Sequence, residues 1–184
     1  ATQYLPSILN ALDLVKNQLE IPVVYNSSGY EKPETIRLLK GYVDIYLPDL
    51  KYFSSELSRK YSKAEDYFEV ASCAIKLMIE QTGTPVFDSD GMLQKGVIVR
   101  HLVLPNCRKD SISLLHWLKE TLPDKHYLIS LLSQYTPFYN SHKYPELNRR
   151  ITTYEYETIL KEAISLGLVE GFMQEKSSAK EEYT

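Results

Sequence analysis

The sequence predicts an α/β protein built on a parallel sheet covered by helices. Three observations carry this: helical and strand-like segments alternate along the chain, the strand-like segments are apolar on both faces, and no repeat or flexible linker interrupts them. At 184 residues, 43% hydrophobic and 24% charged, the chain has enough apolar material for one domain with a substantial core, which excludes disorder over its whole length.

The elements follow in order. From Pro6, Ile8, Leu9, Leu12, Val15 and Leu19 recur at helical spacing, and the β-branched run 21–25 then reads as a short buried strand. After the turn-like Asn26-Ser27-Ser28-Gly29 comes a short helix with Pro33 in its first turn, Glu34 favourable to its dipole and Gly41 as its cap. Residues 43–47 form the next strand, and 66–81, with Phe68, Val70, Ala71, Ala74, Ile75, Met78 and Ile79, an amphipathic helix closed by Gly83. Asp88-Ser89-Asp90-Gly91 is turn chemistry between Val86-Phe87 and the run 97–104, so a hairpin feeds a long central strand. Ile112, Leu114, Leu115, Trp117 and Leu118 mark a helix, 127–132 a strand, and Thr152 with Glu155 a capping box that opens a last helix ending at Gly167. An open doubly wound sheet and part of a βα barrel give this same local pattern, and in both the ligand site lies at the carboxyl ends of the strands.

Charge and cysteine content narrow the function. A net charge of −3 supplies no global cationic field, so neither nucleic acid nor an anionic membrane is the expected partner. No apolar run approaches the roughly 20 residues of a membrane span, and no basic-then-apolar pattern opens the sequence, so a soluble protein that is not exported is expected. With only Cys73 and Cys107, far apart in sequence, a reducing cytoplasm is the expected location. The chain starts at Ala1 with a helical pattern close behind, which reads as a piece of a longer polypeptide.

Four strand ends hold the candidate residues. Asn26, Ser27 and Ser28 offer an amide, hydroxyls and a Gly-permitted backbone to a ribose or carboxylate, or simply cap the helix that follows. Alternation points Asp49 and Lys51 to one side, as a carboxylate-binding pair or a rim salt bridge. Arg100 interrupts an apolar strand, which is costly unless it is paired or faces a ligand, whereas His101 points the other way and reads as a hydrogen-bonded core histidine. Gln134 and Tyr135 follow the last strand and could read a heterocycle. No His or Cys spacing suggests a transition-metal site, and GxSxG and GxxxxGK[ST] are absent. Asn148-Arg149-Arg150 reads as solvated surface, and the fifteen tyrosines as scattered half-buried residues without a shared role.

In order, VVYNSSGY, YLPDLKYF, VIVRHLVLP and LISLLSQYTP resemble the later strand ends of radical S-adenosylmethionine enzymes, above all the activating enzymes of pyruvate formate-lyase, with KYSKAEDY, HKYPELNRR and TTYEYE adding to the match. The resemblance implies a partial (β/α) barrel, this chain supplying the last four strands of a six-stranded radical SAM-type barrel with a small hairpin insertion. Residues 1–173 would form that domain and 174–184 a polar tail. It further implies a parent oxidoreductase that binds S-adenosylmethionine and a [4Fe-4S] cluster and abstracts hydrogen from a partner such as a glycyl radical enzyme. Asn26, Ser27 and Ser28 would then meet the methionine and ribose, Lys51 the carboxylate with Asp49 orienting it, Arg100 the same pocket, and Gln134 and Tyr135 the adenine. The sequence departs from the family at Asn106, where RxxxVPG has glycine, and it lacks CxxxCxxC, so the cluster ligands lie outside this chain and the chain alone is expected to be inactive. An edge left by missing strands would favour dimerisation. The competing expectations are an ordinary βα-barrel lyase or isomerase using Asp49, Lys51 and Arg100, and a noncatalytic nucleoside-binding domain.

Overall fold

Five parallel strands lie side by side in the order in which the chain makes them, and this order separates the two architectures. In the computed structural model, which describes residues 2–168 and 171–173, β1 (Val24–Ser27), β2 (Ile45–Pro48), β4 (Leu93–Leu102), β5 (Leu128–Leu132) and β6 (Gly171–Met173) are neighbours in that sequence, and β3 (Val86–Phe87) pairs antiparallel with β4. A doubly wound sheet reverses direction at a switch point, which sends helices to both faces. Here every crossover advances the same way, and the right-handedness of βαβ units places the covering helices on one face. The fold is therefore a segment of a βα barrel.

Helices α2 (Pro33–Leu38), α3 (Ser55–Ser62), α4 (Tyr67–Thr82), α5 (Arg108–Thr121) and α6 (Thr153–Ser165) connect the strands, and α1 (Leu5–Val15) precedes them. Tyr25, Tyr46, Val97, Val99, His101, Ile129 and Leu131 are buried on the helical side of the sheet, with Ile36, Ile75, Met78, Leu114, Leu115 and Ile159 in the same core. Alternate positions on the other face, among them Leu47, Asp49, Arg100 and Leu102, remain partly open. His101 is the expected core histidine. Its Nδ1 lies 2.7 Å from the Leu50 carbonyl and its Nε2 2.8 Å from Ser111 Oγ. A carbonyl can only accept, so Nδ1 carries the proton and Nε2 accepts from the serine, and burial lowers the affinity of this ring for a second proton.

Several boundaries differ from the sequence reading. The first strand runs over Val24–Ser27 rather than 21–25, leaving Ile21 exposed. Helix α3 was not anticipated; it is polar along most of its length and is held by its Ser54 cap. The fifth parallel strand, β6, adds to the four expected, three residues being too few to display alternation. Gly83, Gly91 and Gly167 take the positive φ their turn and cap positions require. Residues 174–184, assigned above to a polar tail, lie outside the described residues. Among the described residues no helix is long and apolar enough to cross a membrane.

Candidate functional site at the strand ends

The carboxyl ends of β1, β2 and β4 bring four of the singled-out side chains into contact. Asp49 follows β2 and forms an isolated parallel bridge with Arg100, so the two backbones run on together past the regular sheet. One Asp49 oxygen lies 2.7 Å from Arg100 Nη2, and the other 3.0 Å from Lys51 Nζ. The same Nη2 donates to Asn26 Oδ1 at 2.7 Å. Arg100 thus ties β1 to β2 across residues 26, 49 and 100, and its Nε is buried without a partner. A buried guanidinium N–H with nothing to donate to is a costly arrangement in a closed protein, and an available donor in a binding site. With two cations around one carboxylate, the cluster carries a net positive charge suited to an anionic group.

The backbone under these side chains is fixed just as closely. Gly29 has φ +78°, and a Cβ there would collide with the Asp49 carbonyl oxygen, so only glycine allows the turn after β1 to lie against the end of β2. Ser27 Oγ accepts from Gly29 N at 3.1 Å, the turn-forming use of that hydroxyl, while the Ser28 side chain is exposed.

The sequence reading missed Tyr67, the first residue of α4. Its hydroxyl accepts from Lys51 N at 3.1 Å and lies 2.8 Å from Ser28 O and 2.9 Å from Asp49 O, between which its single proton is shared. Burial pushes this phenol up, so it remains a donor. The only signal in the sequence was the phrase KYSKAEDY, whose last residue this is. Nor are the tyrosines scattered without relation. Tyr30, Tyr67, Tyr52, Tyr61 and Tyr144 form a row of successive ring contacts with centroids 6.0, 5.5, 6.4 and 5.1 Å apart.

The carboxyl end of β5 is built differently. Tyr135 donates its hydroxyl to Leu147 O at 2.9 Å and packs against the core, and Gln134 is exposed. The loop that follows is clasped to α3, where Lys60 Nζ lies 2.6 Å from Glu146 Oε1, Tyr61 donates to that same oxygen at 2.8 Å, and Tyr144 donates to Lys60 O. Arg149, expected on the solvated surface, instead makes a two-pronged bond to Glu155 at 2.7 and 2.8 Å. Glu155 also closes the capping box with Thr152 and accepts from Asn106 N at 2.7 Å, and the Arg149 bonds lead in holding its carboxyl well below the usual carboxylate range. This accounts for Asn106. Its φ of +62° is a left-handed conformation that glycine prefers and asparagine tolerates, so asparagine can hold the turn here.

Cys73 is exposed and Cys107 buried, and burial pushes the Cys107 thiol up to about 11, too weakly acidic for a nucleophile at neutral pH. Among the described residues no group of three or more His, Cys, Asp or Glu is arranged to hold a metal ion. A cleft of about 250 Å³ beside Lys119, Asp124, Tyr127 and Gly167 opens at the amino end of β5, the opposite end of the sheet from the cluster.

No protein-family model matches the chain. It is 34% identical over 163 residues to an uncharacterized protein of Methanocaldococcus jannaschii, an alignment that takes in 87% of this chain and 42% of that protein, so the chain spans about two fifths of the length of this curated relative. Its structure is similar to the crystal structure of a domain of pyruvate-formate lyase-activating enzyme from Bacteroides vulgatus, with a TM-score of 0.66 and 14% identity over 95% of this chain and 93% of that one. At that identity the likeness establishes a shared fold.

Proposed function

We propose that this chain is the carboxyl-terminal portion of a radical S-adenosylmethionine enzyme resembling the pyruvate formate-lyase activating enzymes, and that its strand-end cluster holds the S-adenosylmethionine. The observation that carries the reading is the contact of Asn26, Asp49, Lys51 and Arg100 around a buried, unpartnered Arg100 Nε. These groups fit a zwitterionic ligand. Lys51 and the free guanidinium N–H offer donors to a carboxylate, Asp49 keeps both cations at the mouth, and Asn26 keeps an amide N–H₂ beside its Arg100-bound oxygen. When bound to a reduced [4Fe-4S] cluster, S-adenosylmethionine supplies a 5′-deoxyadenosyl radical that abstracts hydrogen from substrate.

In this reading the three thiolates of the cluster come from a part of the protein outside these residues, since only Cys73 and Cys107 are present here. The greater length of the Methanocaldococcus relative and the activating-enzyme fold support the assignment. A glycyl radical enzyme or another protein is the substrate this reading carries, and the reducing cytoplasm its setting. The acid–base alternative has less support, because both Asp49 oxygens already accept from cations.

Calorimetry with S-adenosylhomocysteine tests the site directly. Binding should weaken by about tenfold or more in Lys51→Ala and in Arg100→Ala, the scale of a lost charge-assisted hydrogen bond. Equal affinity in both variants and the unaltered chain would overturn the assignment. For the full-length protein, release of 5′-deoxyadenosine under reducing conditions tests the radical chemistry.

A further inference from the structure

We propose that Tyr67 is the positioning residue of this site, setting the place of Lys51 and of the β1 turn through a single buried hydroxyl; the ligand-binding part of this inference rests on the reading above. The hydroxyl touches three groups from two strand ends. Ser28 O belongs to the turn after β1, Asp49 O and Lys51 N to the extension of β2, and the tyrosine itself opens α4, at sequence separations of 39, 18 and 16 residues. None of the three is a side chain. Tyr67 therefore acts on the backbone that carries Lys51 and leaves the pairing of the Lys51 ammonium with the Asp49 carboxylate untouched.

The geometry makes this hydroxyl hard to replace. Past β2 the regular ladder gives way to a lone bridge, so the amide of Lys51 would otherwise be left without an acceptor. The nearby clamp on this loop, Asp110, takes the N–H groups of Phe53 and Ser54 at 3.0 and 2.7 Å, two and three residues further on, and leaves Lys51 to Tyr67. Gly29, whose backbone lies against the Asp49 carbonyl, closes the triangle, since a shift in either strand end would transmit to the other. The ring is fixed from both sides, stacked with Tyr30 and edge-on to Tyr52. A Tyr67→Phe variant keeps that packing and removes only the hydroxyl.

Tyr52 supplies the control. It is also buried and packed in the same row, and its hydroxyl bonds to Ser62 Oγ at 3.0 Å rather than to the strand ends. Both Tyr67→Phe and Tyr52→Phe lose one buried hydroxyl, and both should melt earlier. Only Tyr67→Phe should shift the Lys51 amide resonance, abolish its slow hydrogen exchange, and lower S-adenosylhomocysteine affinity by about tenfold. A fast-exchanging Lys51 amide in the unaltered chain overturns the proposal even if the variant fails to fold, as does a Lys51 resonance unmoved in Tyr67→Phe, or equal effects of the two variants. Were the unaltered chain not to bind S-adenosylhomocysteine, the functional reading would fall while the Lys51 amide would still decide the role of Tyr67.

Discussion

The strand-end mouth and the α1 flank of this molecule are built on opposite terms. At the mouth, polar groups are paired with one another or with the backbone: Arg100 with Asp49 and Asn26, His101 with Leu50 O and Ser111, Tyr67 with three backbone groups. On the flank, α1 buries Leu5 and leaves Ile8, Leu14 and Val15 open, with Ile21 and Val24 exposed where the chain enters the edge strand β1. The difference teaches that polar pairing organises the mouth, with Arg100 Nε still unpartnered there, whereas the flank carries single apolar side chains open to solvent.

Gly29→Ala is the severest way to break the mouth. The substitution forces a side chain into a φ of +78° and against the Asp49 carbonyl, which should cost about 1–3 kcal/mol from backbone strain alone, before any displacement of β2. Thermal melting should fall by several degrees, and the Lys51 amide resonance should move with it. Gly41→Ala is the matched comparison: it shares the positive φ, +82°, but a Cβ there meets nothing within 4 Å, so it should cost strain without moving Lys51. Equal consequences for the two would mean that Gly29 does not couple the strand ends.

The mouth was partly legible in the sequence for a reason these variants expose. A charge that interrupts an apolar strand is visible in one dimension, so Arg100 and its opposite-facing neighbour His101 could be assigned by alternation, and Asp49 and Lys51 by their spacing. The parallel sheet and its hairpin were legible from apolar runs and turn residues in the same way. Tyr67 was not, because its partners are backbone atoms that only the crossover topology brings near it. Arg149 escaped for a related reason, its identity as a cluster of charge giving no hint of the Glu155 carboxylate that receives it. The choice between barrel and doubly wound sheet was hidden from periodicity, since strand order is a property of the whole fold, and only the resemblance of the strand-end motifs pointed to the partial barrel.

Acid should separate the rim of the mouth from the flank. The Lys60 bond at the clasp, with Tyr61 adding to it, lowers the Glu146 carboxyl from an ordinary 4.5 to about 2. Because its folded value lies below its unfolded one, the carboxylate stabilises the folded chain fully above pH 4.5, and that contribution fades as pH falls from there towards 2. Glu146→Gln should therefore lower the melting temperature at pH 7 and flatten its dependence on pH across this window. The Asp13–Lys16 pair on α1 is open to solvent and should leave no such mark when Asp13 becomes Asn. An acid limb unchanged by Glu146→Gln would show that the clasp does not hold the loop.

The smallest stability effect belongs to the flank, and there it discriminates best. Leu14 is 81% exposed, so Leu14→Lys should change folding stability by no more than about 0.5 kcal/mol. Its consequence should appear in association instead. We propose that the isolated chain dimerises through the β1 edge and the exposed leucine of α1, burying Leu14, Ile21 and Val24 against a second copy, so sedimentation should find a dimer that Leu14→Lys weakens while the melting curve stays in place. A clean monomer with little hydrophobic-dye binding would remove this proposal and leave the flank as ordinary surface. If the missing cover is instead the remainder of a longer polypeptide, the full-length protein should be monomeric and Leu14→Lys should destabilise it, because there the leucine would already be inside.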